Sequence, residues 1–265
     1  MFERRRIKQL IYGSGYLAVI FLILFAVYSI WFKLAPTCFD GRKNQGEAGI
    51  DCGGPCNTCE IKTLSPVTAS WVKYFSAESK TIIAAEIKNL NPNYGARKFT
   101  YAFDIYGKNE EKIKTIFGTS FIYPAEIKYL VEFLEINPKD IGKVQISFAD
   151  FNDFDWAPKD DFFKPEIEPR EISVKINPVG DKIEANGKVV NKSAFSLSKV
   201  KVIAFLATAN NIFISASQTE LENLAAFDSR PFTVSFPKGV SLTGATSSVF
   251  SADLNKTKIY IEAVR

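Results

Sequence analysis

From Gln9 to Phe32 the chain runs through 24 consecutive uncharged residues, QLIYGSGYLAVIFLILFAVYSIWF. As a helix this stretch reaches about 36 Å, enough to cross the hydrocarbon core of a bilayer. Tyr12 and Tyr16 lie near one end and Tyr28 and Trp31 near the other, where amphipathic rings favour the headgroup zone. Arg4, Arg5, Arg6 and Lys8 precede the run and only Lys33 follows it closely, so the positive-inside rule puts the N-terminus in the cytoplasm. The reading is a single-pass plasma-membrane protein with a cytoplasmic tail over 1–8, a transmembrane helix over 9–34 and an extracytoplasmic C-terminal ectodomain.

A cleaved signal peptide shares the basic start, but its apolar stretch is usually about 7–15 residues and ends at a small-x-small site. Here the run is longer, and Phe32 to Cys38 offers no such site. Within the helix only Ser14 and Ala18 form a small pair four residues apart, so Gly13 and Gly15 read as tolerated small residues rather than a helix-packing motif.

The chain has no histidine. Ser-His-Asp and Cys-His catalysis and His-ligated metal chemistry are therefore excluded. Its formal charge of +4 arises entirely before residue 35, so the ectodomain is neutral and lacks the net basic charge that a nucleic-acid-binding face normally supplies.

All four cysteines fall between Cys38 and Cys59. The residues Cys38, Asp40, Gly41, Asn44, Glu47, Asp51, Cys52, Gly53, Gly54, Cys56 and Cys59 meet the pattern C-x-D-G-x-x-N-x-x-E-x-x-x-D-C-G-G-x-C-x-x-C. The stretch thus resembles a short module of bacterial and archaeal surface proteins, and the resemblance implies an extracellular, disulfide-bonded element without naming an activity. The composition agrees. A neck over 35–62 with many glycines and few apolar side chains cannot build a core and needs cross-links. Two disulfides can join four cysteines in three ways. A zinc site would want two close cysteine pairs, and Cys38 has no close partner. A redox site at Cys56 and Cys59 would want a thioredoxin-like βαβ context, which is missing. Asp40, Asn44, Glu47 and Asp51 bring oxygen atoms together within 12 residues, the donor type that holds calcium. The competing reading is that these side chains fasten turns through their own backbone.

Beyond Glu60 the texture becomes short alternating segments. Val144, Ile146 and Phe148, then Phe99, Tyr101, Phe103 and Ile105, then Ile172, Val174 and Ile176 follow the period of a half-buried strand. The pattern also recurs after about 100 residues. Ile83, Ala85 and Asn91 match Ile183, Ala185 and Asn191, and Tyr129, Val131 and Phe133 match Phe232, Val234 and Phe236. The expected fold is mainly β: two tandem immunoglobulin-like β-sandwich domains, 63–156 and 171–265, after the single transmembrane helix. The residues Phe103-Asp-Ile105-Tyr106 and Gly187-Lys-Val-Val-Asn191 resemble motifs of FxLyD-type immunoglobulin-like domains of prokaryotic surface proteins. Gly107 stands where that family has Asp. The resemblance implies a fold, not a ligand.

The linker over 157–170 and the residues just before it gather Phe151, Phe154, Trp156, Phe162 and Phe163 among acids and prolines. These rings read either as an interdomain packing seam or as a partner contact. Asn191-Lys-Ser193 and Asn255-Lys-Thr257 fit the glycosylation sequon. The functional expectation is a non-enzymatic, membrane-anchored binding or structural module engaging protein partners at the cell envelope. An accessory subunit of an envelope assembly is the alternative. A carboxylate-dependent hydrolase would need a pair of acids on facing strands, and the sequence places none there.

Overall fold

The computed structural model describes residues 2–31, 37–77, 80–177, 182–237 and 252–264. It divides into two compact units, one up to Thr63 and one from Leu64. In the first, helix α1 spans Phe2–Trp31 and carries an apolar stretch from Arg6 to Ser29 with mean hydropathy 2.3, long and apolar enough to cross a membrane. The expected tail is therefore already helical from Phe2, as suits arginine and lysine with no proline or cap to stop them. Residues 32–36, including Lys33, the end of the expected span and the start of the neck, lie outside the described residues.

The second unit is all antiparallel β, in four sheets. Strand β2 (Lys80–Lys88) pairs with β1 (Thr68–Ala77) and β5 (Ile127–Leu134). Strand β3 (Tyr94–Gly107) pairs with β4 (Lys112–Ile122), β6 (Ile141–Phe148) and the short β7 (Trp156–Pro158). The second half follows the same scheme: β9 (Lys182–Asn191) lies between β8 (Ile167–Asn177) and β12 (Ser229–Ser235), and β10 (Leu197–Ala207) lies between β11 (Phe213–Leu224) and β13 (Asp253–Val264).

The sheets stack in four layers. In the second half, Ile183, Ala185 and Val189 of β9 and Phe232 and Val234 of β12 share a core with Val200, Val202, Ala204 and Leu206 of β10. In the first half, Tyr101 on β3 reaches across to the other sheet, its hydroxyl donating to Glu132 Oε1 at 2.7 Å. Burial, reinforced by that carboxylate, pushes the Tyr101 hydroxyl pKa up. Gly118 opposite makes this possible, because a Cβ there would lie 2.3 Å from the Tyr101 ring.

Between the halves a second core forms, sheet against sheet. Phe75, Ile82, Ala84, Tyr129 and Val131 of the first half meet Ile203, Phe205 and Ala216 of the second, with Trp71, Phe213 and Tyr260 packed around them. Strands β2 and β10 are therefore buried on both faces, and Ile82, Ile83, Ala84 and Ala85 are all fully buried. This explains their near-continuous apolar runs, Thr81–Ala85 and Val202–Ala207, where a half-buried strand would alternate. Full burial of one such side chain is worth about 1.5–3 kcal/mol.

The register between halves differs from the sequence matching. Asn89 Nδ2 donates to the carbonyls of Tyr94 and Tyr123, and its Oδ1 accepts from Asn91 N–H. Asn191 Nδ2 donates to Phe195 and Ala225, and its Oδ1 accepts from Ser193 N–H. Asn89, not Asn91, thus occupies the place of Asn191. Likewise Lys88 faces Ile127 as Val190 faces Ser229, so Ile83 corresponds to Ala185 rather than to Ile183. A slip of two residues leaves every side chain on its own face, and the hydrophobic pattern alone does not detect it. Asn191 is also fully buried, so in the folded chain its sequon is closed, whereas Asn255 is exposed.

Candidate functional site

In the neck, Cys38 joins Cys56 and Cys52 joins Cys59, leaving no free cysteine among the described residues. Cys56 and Cys59 are each bonded elsewhere, so no disulfide closes the CxxC. Left-handed backbone at Gly53 and Gly54 brings the chain so close that a Cβ would meet Ala48 Cβ and Gly46 O at 2.6 Å.

The four oxygen-bearing residues are brought together as fasteners of this loop. Asp51 accepts from the N–H groups of Asp40 and Gly41 at 3.0–3.1 Å. Asp40 accepts from Asn44 Nδ2 at 2.8 Å and from the N–H groups of Arg42 and Thr37. The Asn44 amide, aided by those backbone groups, holds the Asp40 pKa below the usual carboxylate value. Glu47 is 4% exposed; its Oε2 accepts from the N–H groups of Asn44 and Asp51, and its Oε1 lies 3.2 Å from Cys56 Sγ. Among the described residues, the group of three acid or cysteine side chains with ligand atoms within 4.8 Å of one another is Cys38, Glu47 and Cys56. Its two sulfurs are bonded to each other.

The linker aromatics go to three places. Phe154 and Trp156 are buried, Phe154 stacking on Phe99 at 5.2 Å and on Trp156 at 5.3 Å, with Phe151 beside Trp156 at 5.2 Å. Together they close one end of the first half, and Trp156 opens β7. Phe162 stacks on Tyr123 at 4.5 Å. Phe163 reaches Phe195 of the second half edge-on and stays 44% exposed. The main seam lies elsewhere, between the sheets.

At one end of that seam sits a polar site that the sequence did not signal. Lys128 on β5 pairs with Glu262 on β13 at 3.1 Å, their side chains only 2% and 11% exposed. The Lys128 ammonium lies 3.2 Å from the centre of the Phe121 ring, and Tyr123 OH donates to the Ala263 carbonyl at 2.8 Å. Burial lowers the Lys128 pKa and raises that of Glu262, each opposed by the partner's charge. A cleft of about 200 Å³ opens here, lined by Ser120, Lys128, Lys199, Lys201, Glu220 and Glu262 among others, and among the described residues Glu262 Oε1 has no hydrogen-bond partner. In sequence, Lys128 and Glu262 occupy alternate positions of strands and read as solvent-facing.

No protein-family model matches the chain, and no curated protein does. Among solved structures, the transglutaminase of red sea bream is similar at 11% identity and a TM-score of 0.23, over 76% of this chain. The match spans 32% of that chain's length, and so low a score carries no inference about activity.

Proposed function

We propose that this chain is a non-enzymatic, membrane-anchored module whose ectodomain, two immunoglobulin-like domains of the FxLyD-like kind, acts outside the cytoplasm as a binding or structural element. The observation that carries this reading is the aromatic sheet-on-sheet seam, which joins two equally organised halves into one body. A body whose seam rings are used for internal stacking suits rigid display better than a hinged cleft. The shared strand scheme and the paired asparagine clamps support two copies of one domain. The apolar helix supports the anchor, and the disulfide-tied neck supports an oxidising compartment.

The test is topological and then biochemical. In intact cells, protease added outside should remove the C-terminal mass and leave a short membrane stub, and an impermeant thiol label should reach the neck only after reduction. Protection of the C-terminal mass would overturn the orientation. Crosslinking in the native envelope, followed by purification, should then return a protein partner. The exposed Phe117 favours a second reading, an accessory subunit of an envelope assembly, in which that partner is a constant stoichiometric component.

A further inference from the structure

Glu47 is buried in a neck that has almost no apolar side chains of its own. Its Oε2 has two donors, the N–H groups of Asn44 at 3.2 Å and Asp51 at 3.1 Å. Its Oε1 instead lies 3.2 Å from Cys56 Sγ. That sulfur is bonded to Cys38, so it has no proton to give and the contact is not a hydrogen bond. None of the ion pairs among the described residues includes Glu47. A carboxylate without a counter-ion thus faces one end of a disulfide.

Its charge bears on how that bond can be cut. A small thiolate attacks one sulfur and forms a mixed disulfide there, while the electron pair of the broken S–S bond leaves on the other sulfur. Attack on Cys38 Sγ would release the Cys56 thiolate 3.2 Å from the Glu47 carboxylate, where like charge raises the thiol pKa and makes a poor leaving group. Attack on Cys56 Sγ brings the incoming thiolate up against the same carboxylate. Both routes are opposed electrostatically, although Cys38 and Cys56 are only half-buried and within reach of a small reagent. A second thiol completes the reaction, so that two reagent thiols become one small disulfide and the two cysteines gain two electrons and two protons.

We propose that Glu47 guards the Cys38–Cys56 bond against reduction by small thiols. The bond it protects is the one whose loss would open the neck. Cys38 and Cys56 are 18 positions apart and enclose Asp40, Asn44, Glu47 and Asp51, whereas Cys52 and Cys59 are 7 apart. Guard and bond hold each other, because the N–H groups that keep Glu47 at the sulfur belong to the loop that the bond closes. The Cys52–Cys59 bond is an internal control: among the described residues no carboxylate oxygen lies within 4.8 Å of both its sulfurs, as Glu47 does for Cys38 and Cys56. The guard acts whatever the ectodomain binds.

Differential alkylation with mass spectrometry, on the full-length, detergent-solubilised protein, follows each disulfide separately during reduction. Glu47→Gln keeps the shape of the side chain and an oxygen for the two N–H groups while removing the charge. In that variant Cys38–Cys56 should be reduced about tenfold faster than in the wild type, and Cys52–Cys59 less than about twofold faster. A second measurement needs no folded variant. On the wild type, cationic cysteamine should outpace anionic mercaptoethanesulfonate at Cys38–Cys56 by about fivefold more than it does on hydroxyethyl disulfide, an uncharged reference. Glu47→Gln should largely lose that preference. An unchanged Cys38–Cys56 rate in Glu47→Gln, equal acceleration of both disulfides, or no preference for cysteamine in the wild type would each overturn the proposal.

Discussion

Removing the negative charge of Glu262 should damage the ectodomain more than removing both charges of its pair. At 3.1 Å and an effective dielectric of about 20, the attraction between Lys128 and Glu262 is about 5 kcal/mol. Desolvating two ions costs several kcal/mol each, so the pair as a whole contributes little or nothing net. Glu262→Leu leaves the Lys128 ammonium buried against Phe121 with its counter-ion gone, and should lose about 3–5 kcal/mol. Lys128→Met strands the carboxylate in the same way. The double variant Lys128→Met with Glu262→Leu should recover most of the loss, and can exceed the wild type by about 1–4 kcal/mol if the apolar pair packs well. Urea unfolding of the soluble fragment from Leu64 onward, run as a double-mutant cycle, measures all three. The pH adds a sign. In Lys128→Met, Glu262 loses the charge that opposes its raised pKa, so the folded state binds a proton more readily than the unfolded state does. Stability contributed by that proton is present at low pH and lost as pH rises through the folded pKa. The deficit of Lys128→Met should therefore shrink between pH 7 and pH 5. Additive single losses, or a deficit that grows on acidification, would refute the account of the pair.

Three other outcomes follow from the packing and the neck. Phe205 is fully buried and lies between Tyr129 at 5.2 Å and Phe213 at 4.7 Å, so Phe205→Ala should cost about 3–5 kcal/mol in the same urea assay; a loss below about 1 kcal/mol would mean that the sheets are not held by this cluster. Gly118→Ala places a methyl against the Tyr101 ring, and should lower stability by about 1–3 kcal/mol in thermal scans. That effect should largely vanish in a Tyr101→Leu background. Because the carboxylates of Asp40, Glu47 and Asp51 already accept from backbone N–H groups, calorimetric titration of the oxidised chain with millimolar calcium should give no saturable heat. A saturable signal lost in an Asp40→Ala, Asp51→Ala double variant would show that the four residues gather an ion after all.

What the sequence disclosed follows the range over which each interaction acts. The apolar run of α1 and the clustering of four cysteines are local, and each was readable without knowing where any other segment lies. The turn chemistry of the neck was half readable. Asp, Asn and glycine at short spacing fit either a cation or a set of backbone fasteners, and only the hydrogen bonds from Gly41, Asp51 and Arg42 N–H distinguish how these oxygens are used. The strands were legible as a class, yet the alternation of Phe99, Tyr101 and Phe103 drew attention away from the unbroken run at Ile82 to Ala85, which carried the sign of a strand covered on both faces. The same blindness hid the seam. Whether Tyr129 faces solvent or Phe205 depends on a sheet formed some 75 residues later, and the five linker rings could not be assigned without knowing that the halves stack through β5, β10 and β13. Lys128 and Glu262 show the limit most clearly. A lysine at an alternate strand position belongs at the surface by every local rule, and it becomes the buried half of an ion pair only because a second sheet closes over the first.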